Sequence, residues 1–195
     1  MLGSISLLGE RARGRRWSVT VAALAVGAIG SGVALAAVLG LVGEVLPLSG
    51  RTRLVLLIAA GGTAVVADAV WLPRRIGPIR QVNDQWLAVY RGWVAGAGFG
   101  LQLGLAVATV VTSATTYVAV ASMVLVGDLR RALLIGAVYG AVRGASVFLG
   151  AAIETTQDLA RADRLLALTD RPARFAVVLT ASAWLVMALT FWEGS

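Results

Sequence analysis

The sequence contains no cysteine and no histidine. Without cysteine the chain forms no disulfide and no thiolate metal site. Without histidine, a zinc or haem site would depend on carboxylates, Met or Tyr, which makes such a site a poor expectation. A Ser-His-Asp triad is excluded as well, and the sequence shows neither a phosphate-binding loop nor a paired-carboxylate motif. We therefore expect no metal, no cofactor and no enzyme activity.

Charged residues are scarce. They make up 14% of the chain, 58% of the residues are hydrophobic, and the mean hydropathy is +0.84. Soluble domains carry about 25% charged residues. The net charge of +7 comes from arginines that flank apolar runs instead of forming a basic face, which argues against nucleic-acid binding. The composition predicts an integral membrane protein whose main partner is the lipid bilayer.

Two uncharged runs are longer than a membrane-spanning helix requires. Between Arg16 and Glu44 lie 27 residues, and between Arg91 and Asp128 lie 36, whereas about 20 suffice for one crossing. Shorter candidate spans occupy residues 54–72, 132–153 and 175–192. We predict an all-α integral membrane protein with five to six transmembrane helices. They form a single domain over residues 17–192, preceded by a basic cytoplasmic amino terminus, residues 1–16.

The arginines predict the orientation. With five crossings and a cytoplasmic amino terminus, 12 arginines lie on the cytoplasmic side and four outside; with six or seven crossings the division is 10 to six. The positive-inside rule favours five crossings and leaves six open. The polar connection at residues 73–91 then lies in the cytoplasm of a bacterial-type cell, and the protein is a multi-pass protein of its plasma membrane.

The two halves of the chain resemble each other. A shift of 77 positions aligns residues 48–70 with 125–147 at 10 identities in 23 positions, pairing Arg53 with Arg130 and Gly50 with Gly127. Arginine two residues before tryptophan begins each half. These matches predict a duplication, with halves at residues 15–72 and 91–152 and a final span at 175–192. Duplicated halves are common in membrane transport folds.

The 36-residue run is too long for one straight helix across a bilayer. Thirty residues or more make about 45 Å of helix, against a hydrocarbon core of about 30 Å. Gly104 and residues 112–116 predict a broken helix in the second half, and Gly27, Gly30 and Gly32 offer the same opportunity in the first. Such a break serves a solute or ion site, or else the small residues serve close helix packing. The sequence leaves both interpretations open.

Arg143 is the most informative charge in the sequence. It lies near the middle of the predicted span at residues 132–153, where insertion costs at least about 2.5 kcal/mol. Tyr139 stands four residues earlier on the same helix face. The candidate solute- or ion-binding residues are Arg143, Asp68, Gln102, Thr112, Thr115, Thr116 and Tyr139. Either Arg143 forms a structural ion pair with a carboxylate such as Asp68, or it belongs to an anion or proton pathway.

Residues 98–150 combine a Gly-rich span that breaks, a short second half, a turn with glycine and basic residues, and a span of small residues. This layout resembles the helix pair of the cytochrome-c-biogenesis and thiol-reductant membrane family and its LysE-like relatives. The resemblance implies a duplicated small transporter fold, or a scaffold that now serves another complex. The family's thiol members carry a Cys-Pro element at the break, whereas this chain has Ala114, Thr115 and Thr116 there, so electron transfer through its own thiols is excluded.

Two functions follow from these observations. The first is a transporter or permease-like protein for a small solute of anionic character near Arg143. The alternative is a non-catalytic membrane anchor or assembly subunit, which docks through residues 73–91 and through a short amphipathic helix predicted at 154–174. The expected protein partners are accordingly further copies of the chain or the subunits of a larger membrane complex.

Overall fold

The computed structural model describes residues 16–70, 91–105 and 115–145, together with Gly14, residues 147–148 and isolated positions between 155 and 164. The side chains of residues 68–70 and 115 lie outside this description. The described residues form five helices and no strand: α1 Trp17–Val45, α2 Gly50–Val70, α3 Gly92–Gly104, α4 Thr115–Leu125 and α5 Leu129–Ala145. The prediction of an all-α fold is confirmed.

Two of the described helices are long and apolar enough to cross a membrane. These are Trp17–Val45, with a mean hydropathy of 2.2, and the Gly50–Ala67 portion of α2, with 1.3. The apolar segment Thr116–Leu125 in α4 is shorter than a crossing requires. The predicted final span at residues 175–192 lies outside the described residues.

α1 is one continuous helix of 29 residues, about 43 Å long. The break that its glycines allowed does not occur. Gly27 and Gly32 instead face the backbones of neighbouring helices, where a Cβ atom would collide with Ala97 and Gly136 respectively. In this segment the small residues therefore serve helix packing.

Side-chain caps set the first residues of α2 and α5. The backbone N–H of Thr52 donates to Ser49 Oγ at 3.2 Å, so α2 begins at Gly50, four residues before the predicted start at 54. The N–H of Arg131 donates to Asp128 Oδ1 at 2.8 Å, and α5 begins at Leu129, three residues before the predicted start at 132. Both shifts arise because a cap residue followed by arginines starts a helix outside the apolar run.

The chain divides into two compact units, each assembled from three segments. The first unit consists of Met1–Leu35, Pro78–Thr109 and Gly136–Leu168, and the second of Ala36–Gly77, Val110–Ile135 and Thr169–Ser195. Each unit takes residues from both predicted halves. The duplication itself stays a prediction.

In the first unit, α3 and α5 both pack against α1 through glycine. α3 lies parallel to α1, since Gly96 contacts Thr20 and Gly104 contacts Ser31. α5 runs antiparallel to α1, since Gly32 lies against Gly136 and residues four and eight positions further along α5 meet earlier residues of α1. A small apolar core beside these contacts contains Val21, Leu24, Ala95, Phe99 and Val147.

In the second unit, α2 packs against α4. The last turns of α1 also belong to this unit, where Gly40 lies against Ala132 of α5 and Gly43 lies against the Val124 carbonyl at the end of α4. Small residues on α1 therefore mediate close helix approach in both units.

A reciprocal cap marks the start of the predicted amphipathic helix at residues 154–174. The N–H of Asp158 donates to Thr155 Oγ1 at 3.2 Å, and the N–H of Thr155 donates to Asp158 Oδ2 at 3.0 Å. This is a capping box with aspartate in its third helical position. The described positions between 157 and 164 are helical, and the rest of the segment lies outside the described residues.

Candidate functional site

Arg143 lies in the last turn of α5, two residues before its end at Ala145. The helix starts at Leu129 and residues 147–148 form a 3₁₀ turn, and the predicted position of Arg143 near the middle of a span stays a prediction. A cation in the last turn interacts favourably with the negative end of the helix dipole. The side chain is half-buried.

Tyr139 and Arg143 lie together, one turn apart on α5. The guanidinium carbon of Arg143 is 5.6 Å from the centroid of the Tyr139 ring, within the range of a cation–π contact. The Tyr139 hydroxyl oxygen is buried. At the same end of the first unit, Trp17 and Phe148 meet edge to face with centroids 6.4 Å apart. Both contacts lie in the first unit, where α5 packs antiparallel against α1.

The other described site residues lie on different helices. Gln102 is half-buried on α3, and Thr116 is half-buried on α4. The side chains of Asp68 and Thr115 lie outside the described residues, as does the whole of Thr112. Of the predicted set, the described part of the chain brings together Arg143 and Tyr139, and the proposed ion pair between Arg143 and Asp68 stays a prediction.

The carboxyl end of α3 lies at the midpoint of α1. Gly104, the last residue of α3, contacts Ser31, which is the central residue of the helix Trp17–Val45. Ser31 is buried, and its hydroxyl lies 3.2 Å from the Ala28 carbonyl and 3.4 Å from the Gly100 carbonyl of α3. Residues 106–114 lie outside the described residues, so the predicted break between Gly104 and residue 116 stays a prediction.

Sequence reasoning missed the role of Arg53, at the start of α2. Its Nη2 atom donates to the carbonyls of Gly43 and Leu46 at 2.7 and 2.9 Å, and its Nε atom donates to that of Leu48 at 3.1 Å. The Gly43 carbonyl belongs to the last turn of α1, so the guanidinium caps the carboxyl end of that helix. The signal available in the sequence was an arginine eight residues after a helix end that carries no basic residue of its own.

Gly127, in the turn between α4 and α5, completes the surroundings of Arg53. It has a positive φ of 64°, and a Cβ atom there would collide with the Arg53 guanidinium. Its predicted repeat counterpart, Gly50, has open space around it, and Arg130, the counterpart of Arg53, is exposed. The aligned residues of the two halves therefore make different contacts.

The sequence contains two glycine ladders with a spacing of four residues. One lies on α3, at Gly96, Gly100 and Gly104, and one on α5, at Gly136, Gly140 and Gly144. The three glycines of α3 and Gly140 of α5 approach the α1 backbone too closely for a side chain, and Gly136 lies against Gly32 of α1. Glycine at this spacing lets helices in a membrane approach closely. The period is present in the sequence, but small residues are so frequent throughout the chain that it does not stand out.

No family model, no curated protein and no solved structure matches the chain. Within the described residues no group of three or more metal-ligating side chains occurs.

Proposed function

We propose that the chain is a multi-pass integral membrane protein of five crossings, with a transporter- or permease-like function for a small anionic solute. The supporting observation for the membrane is an inverted pattern of burial. On α5, Ala132 and the glycine ladder are buried, whereas Leu134, Val138 and Val142 are 67%, 62% and 68% exposed. Water would penalise this arrangement, since about 25 cal/mol is lost per Å² of apolar surface left exposed, but lipid does not.

The transporter proposal rests chiefly on the end of α3. If α1 crosses the bilayer, its central residue Ser31 lies near the midplane, and α3 then ends at the same depth. Backbone groups at a helix end inside a bilayer need protein or a water-filled cavity around them. Half-helices that end near the midplane form the solute and ion sites of many transporters.

The parallel arrangement of α1 and α3 also supports this proposal. Each begins one of the two similar halves, and each starts with an arginine just before a tryptophan-containing first turn. Repeats that cross in the same direction occur in transporters built from parallel halves. Arg143 is the proposed anion contact, with Tyr139 orienting its guanidinium from one turn away.

The experiment is anion efflux from liposomes that contain the purified full-length chain. We expect Arg143→Leu to abolish efflux with little change in yield or melting temperature, while Arg161→Leu, at an exposed position, leaves efflux intact. If Arg143 is instead a structural partner of Asp68, Arg143→Leu lowers stability and the double variant with Asp68→Asn recovers it. Recovery of that kind would remove Arg143 from the solute site.

A specific observation favours assembly as the second candidate. In the most apolar part of α2, 11% is buried within the chain, whereas the corresponding share for α1 is 33%. A helix so little covered leaves its surface for lipid or for another subunit. Purification in mild detergent separates the candidates: other subunits in fixed stoichiometry support assembly, and a stable chain alone or as a homo-oligomer supports transport.

A further inference from the structure

The outer face of α5 combines arginine with a line of branched aliphatic side chains. Arg130, Leu134, Val138 and Val142 follow one another at intervals of four residues, and all four are exposed. The glycine ladder is displaced from them by two residues, about 200° around the helix, and it packs against α1. The line from residue 130 to 142 is about 18 Å long.

Two carboxylates accept backbone hydrogen bonds at the start of α5. Glu44 Oε1 accepts the N–H of Leu129 at 3.0 Å, and Asp128 Oδ1 accepts the N–H of Arg131 at 2.8 Å. Carboxylates at a helix amino terminus offset the positive end of its dipole. Both carboxylates accept from backbone N–H groups of α5. The side chains of Arg130 and Arg131 project from the first turn of α5, and both are exposed.

We propose that Arg130 and Arg131 bind the phosphate of an anionic phospholipid whose acyl chain lies along Leu134, Val138 and Val142. Guanidinium groups bind phosphate oxygens in a forked geometry. A headgroup whose only charge is the phosphate offers two adjacent arginines an uncompensated negative charge, whereas a zwitterionic headgroup balances its phosphate with its own cation. The inference rests on the proposed membrane location and on no assumption about transport.

The test is native mass spectrometry of the full-length chain in detergent, titrated with dioleoyl-phosphatidylglycerol and with dioleoyl-phosphatidylcholine. We expect phosphatidylglycerol to bind preferentially. The double variant R130Q/R131Q should weaken that binding roughly ten- to thirtyfold, since each arginine near a lipid surface contributes about 1 kcal/mol. The pair R130K/R131K keeps the positive charge but loses the forked geometry, so its binding should fall between that of the native chain and that of R130Q/R131Q, which separates loss of charge from misfolding.

The matched control is R161Q/R164Q, which removes two exposed arginines from another segment. Equal loss of lipid in this control, or unchanged binding in R130Q/R131Q, would overturn the proposal. So would displacement of the lipid by millimolar glycerol phosphate, which would indicate a site for a free anion, or loss of a dimer in R130Q/R131Q, which would indicate a contact between copies. Release of the chain from membranes by alkaline carbonate would instead overturn the membrane proposal itself.

Discussion

Gly100 and Gly140 lie against the backbone of α1 on two of its faces. A Cβ atom at Gly100 would lie 2.8 Å from the Ala28 nitrogen, and one at Gly140 would lie 2.8 Å from the Ile29 Cα atom. Neither neighbour is the end of a flexible side chain, so a methyl group at these positions requires the helices to separate. The two arginines that the repeat aligns also have different surroundings. The Arg53 guanidinium donates to backbone carbonyls, while Arg130 is exposed.

The first prediction concerns the glycine ladder. Gly100→Ala should lower the free energy of unfolding by about 1–3 kcal/mol, as overpacking does in well-packed interiors. Gly30 provides the control on α1, because no atom lies within 4 Å of a Cβ placed there. Gly30→Ala should change stability by less than about 1 kcal/mol, in the stabilising direction. Thermal unfolding in detergent measures both, and equal stabilities of the two variants would contradict the close approach of α3 to α1.

The second prediction concerns Arg53. Arg53→Met keeps most of the apolar side chain but removes the donors to the carbonyls at the end of α1, and it should cost at least about 1.5 kcal/mol, the lower figure for a hydrogen bond that involves a charged group. Arg130→Met removes the aligned arginine of the other half and should cost less than about 0.5 kcal/mol, as surface substitutions usually do. Urea-induced unfolding monitored by tryptophan fluorescence checks the difference. Similar losses would show that the cap adds nothing measurable.

At the scale of the helices, the sequence predicted where most of the described helices lie, but it missed the first or last residue of some of them. The apolar runs between charged residues located α1, α2 and α5, because a membrane-spanning helix needs about 20 predominantly apolar residues. The starts at Gly50 and Leu129 were missed by a few residues, since Ser49 and Asp128 begin the helices ahead of the apolar runs. The end of α5 near Arg143 was missed because no proline or glycine cap announces it.

The contacts of Arg53 could not be predicted from sequence. Its partners include Gly127, 74 positions away by the difference of the two residue numbers, and the contact depends on how the two turns of the second unit come together. The predicted repeat does not reveal this contact. It aligns Gly127 with Gly50, but Gly127 lies against Arg53 whereas Gly50 has open space around it.

The third prediction concerns the chain between α3 and α4. A break between residues 104 and 116 implies that backbone amides there exchange with deuterium much faster than those in the middle of α1. Hydrogen–deuterium exchange with mass spectrometry in lipid nanodiscs measures both segments in one sample, with residues 24–35 as the protected reference. Protection of residues 105–114 equal to that of α1 would indicate one continuous helix, and the argument for a midplane site would be lost.

At the scale of the whole molecule, the side of the membrane on which each loop lies can be measured directly. The chain has no native cysteine, so each introduced cysteine is the sole thiol. In the five-crossing topology, Asn83→Cys lies in the cytoplasm and should resist an impermeant maleimide added to intact cells. Pro47→Cys, at an exposed position between α1 and α2, should react under the same conditions. Labelling in the reverse order would invert the orientation, and labelling of both would reject five crossings.

In the first unit, α1 is synthesised before both of the helices that pack against it. Ala28 is complete long before Gly144, its neighbour on α5, because 116 residues of chain separate them by the difference of their numbers. At about 5–20 residues per second, the interval is about 6–23 s. If α1 is inserted in a bilayer as proposed, the two faces that later contact α3 and α5 lack their final neighbours during that time, and any other nascent helix with small residues at the same spacing competes for them. Slow translation between α1 and α5 should therefore increase misassembly more than slow translation after residue 145.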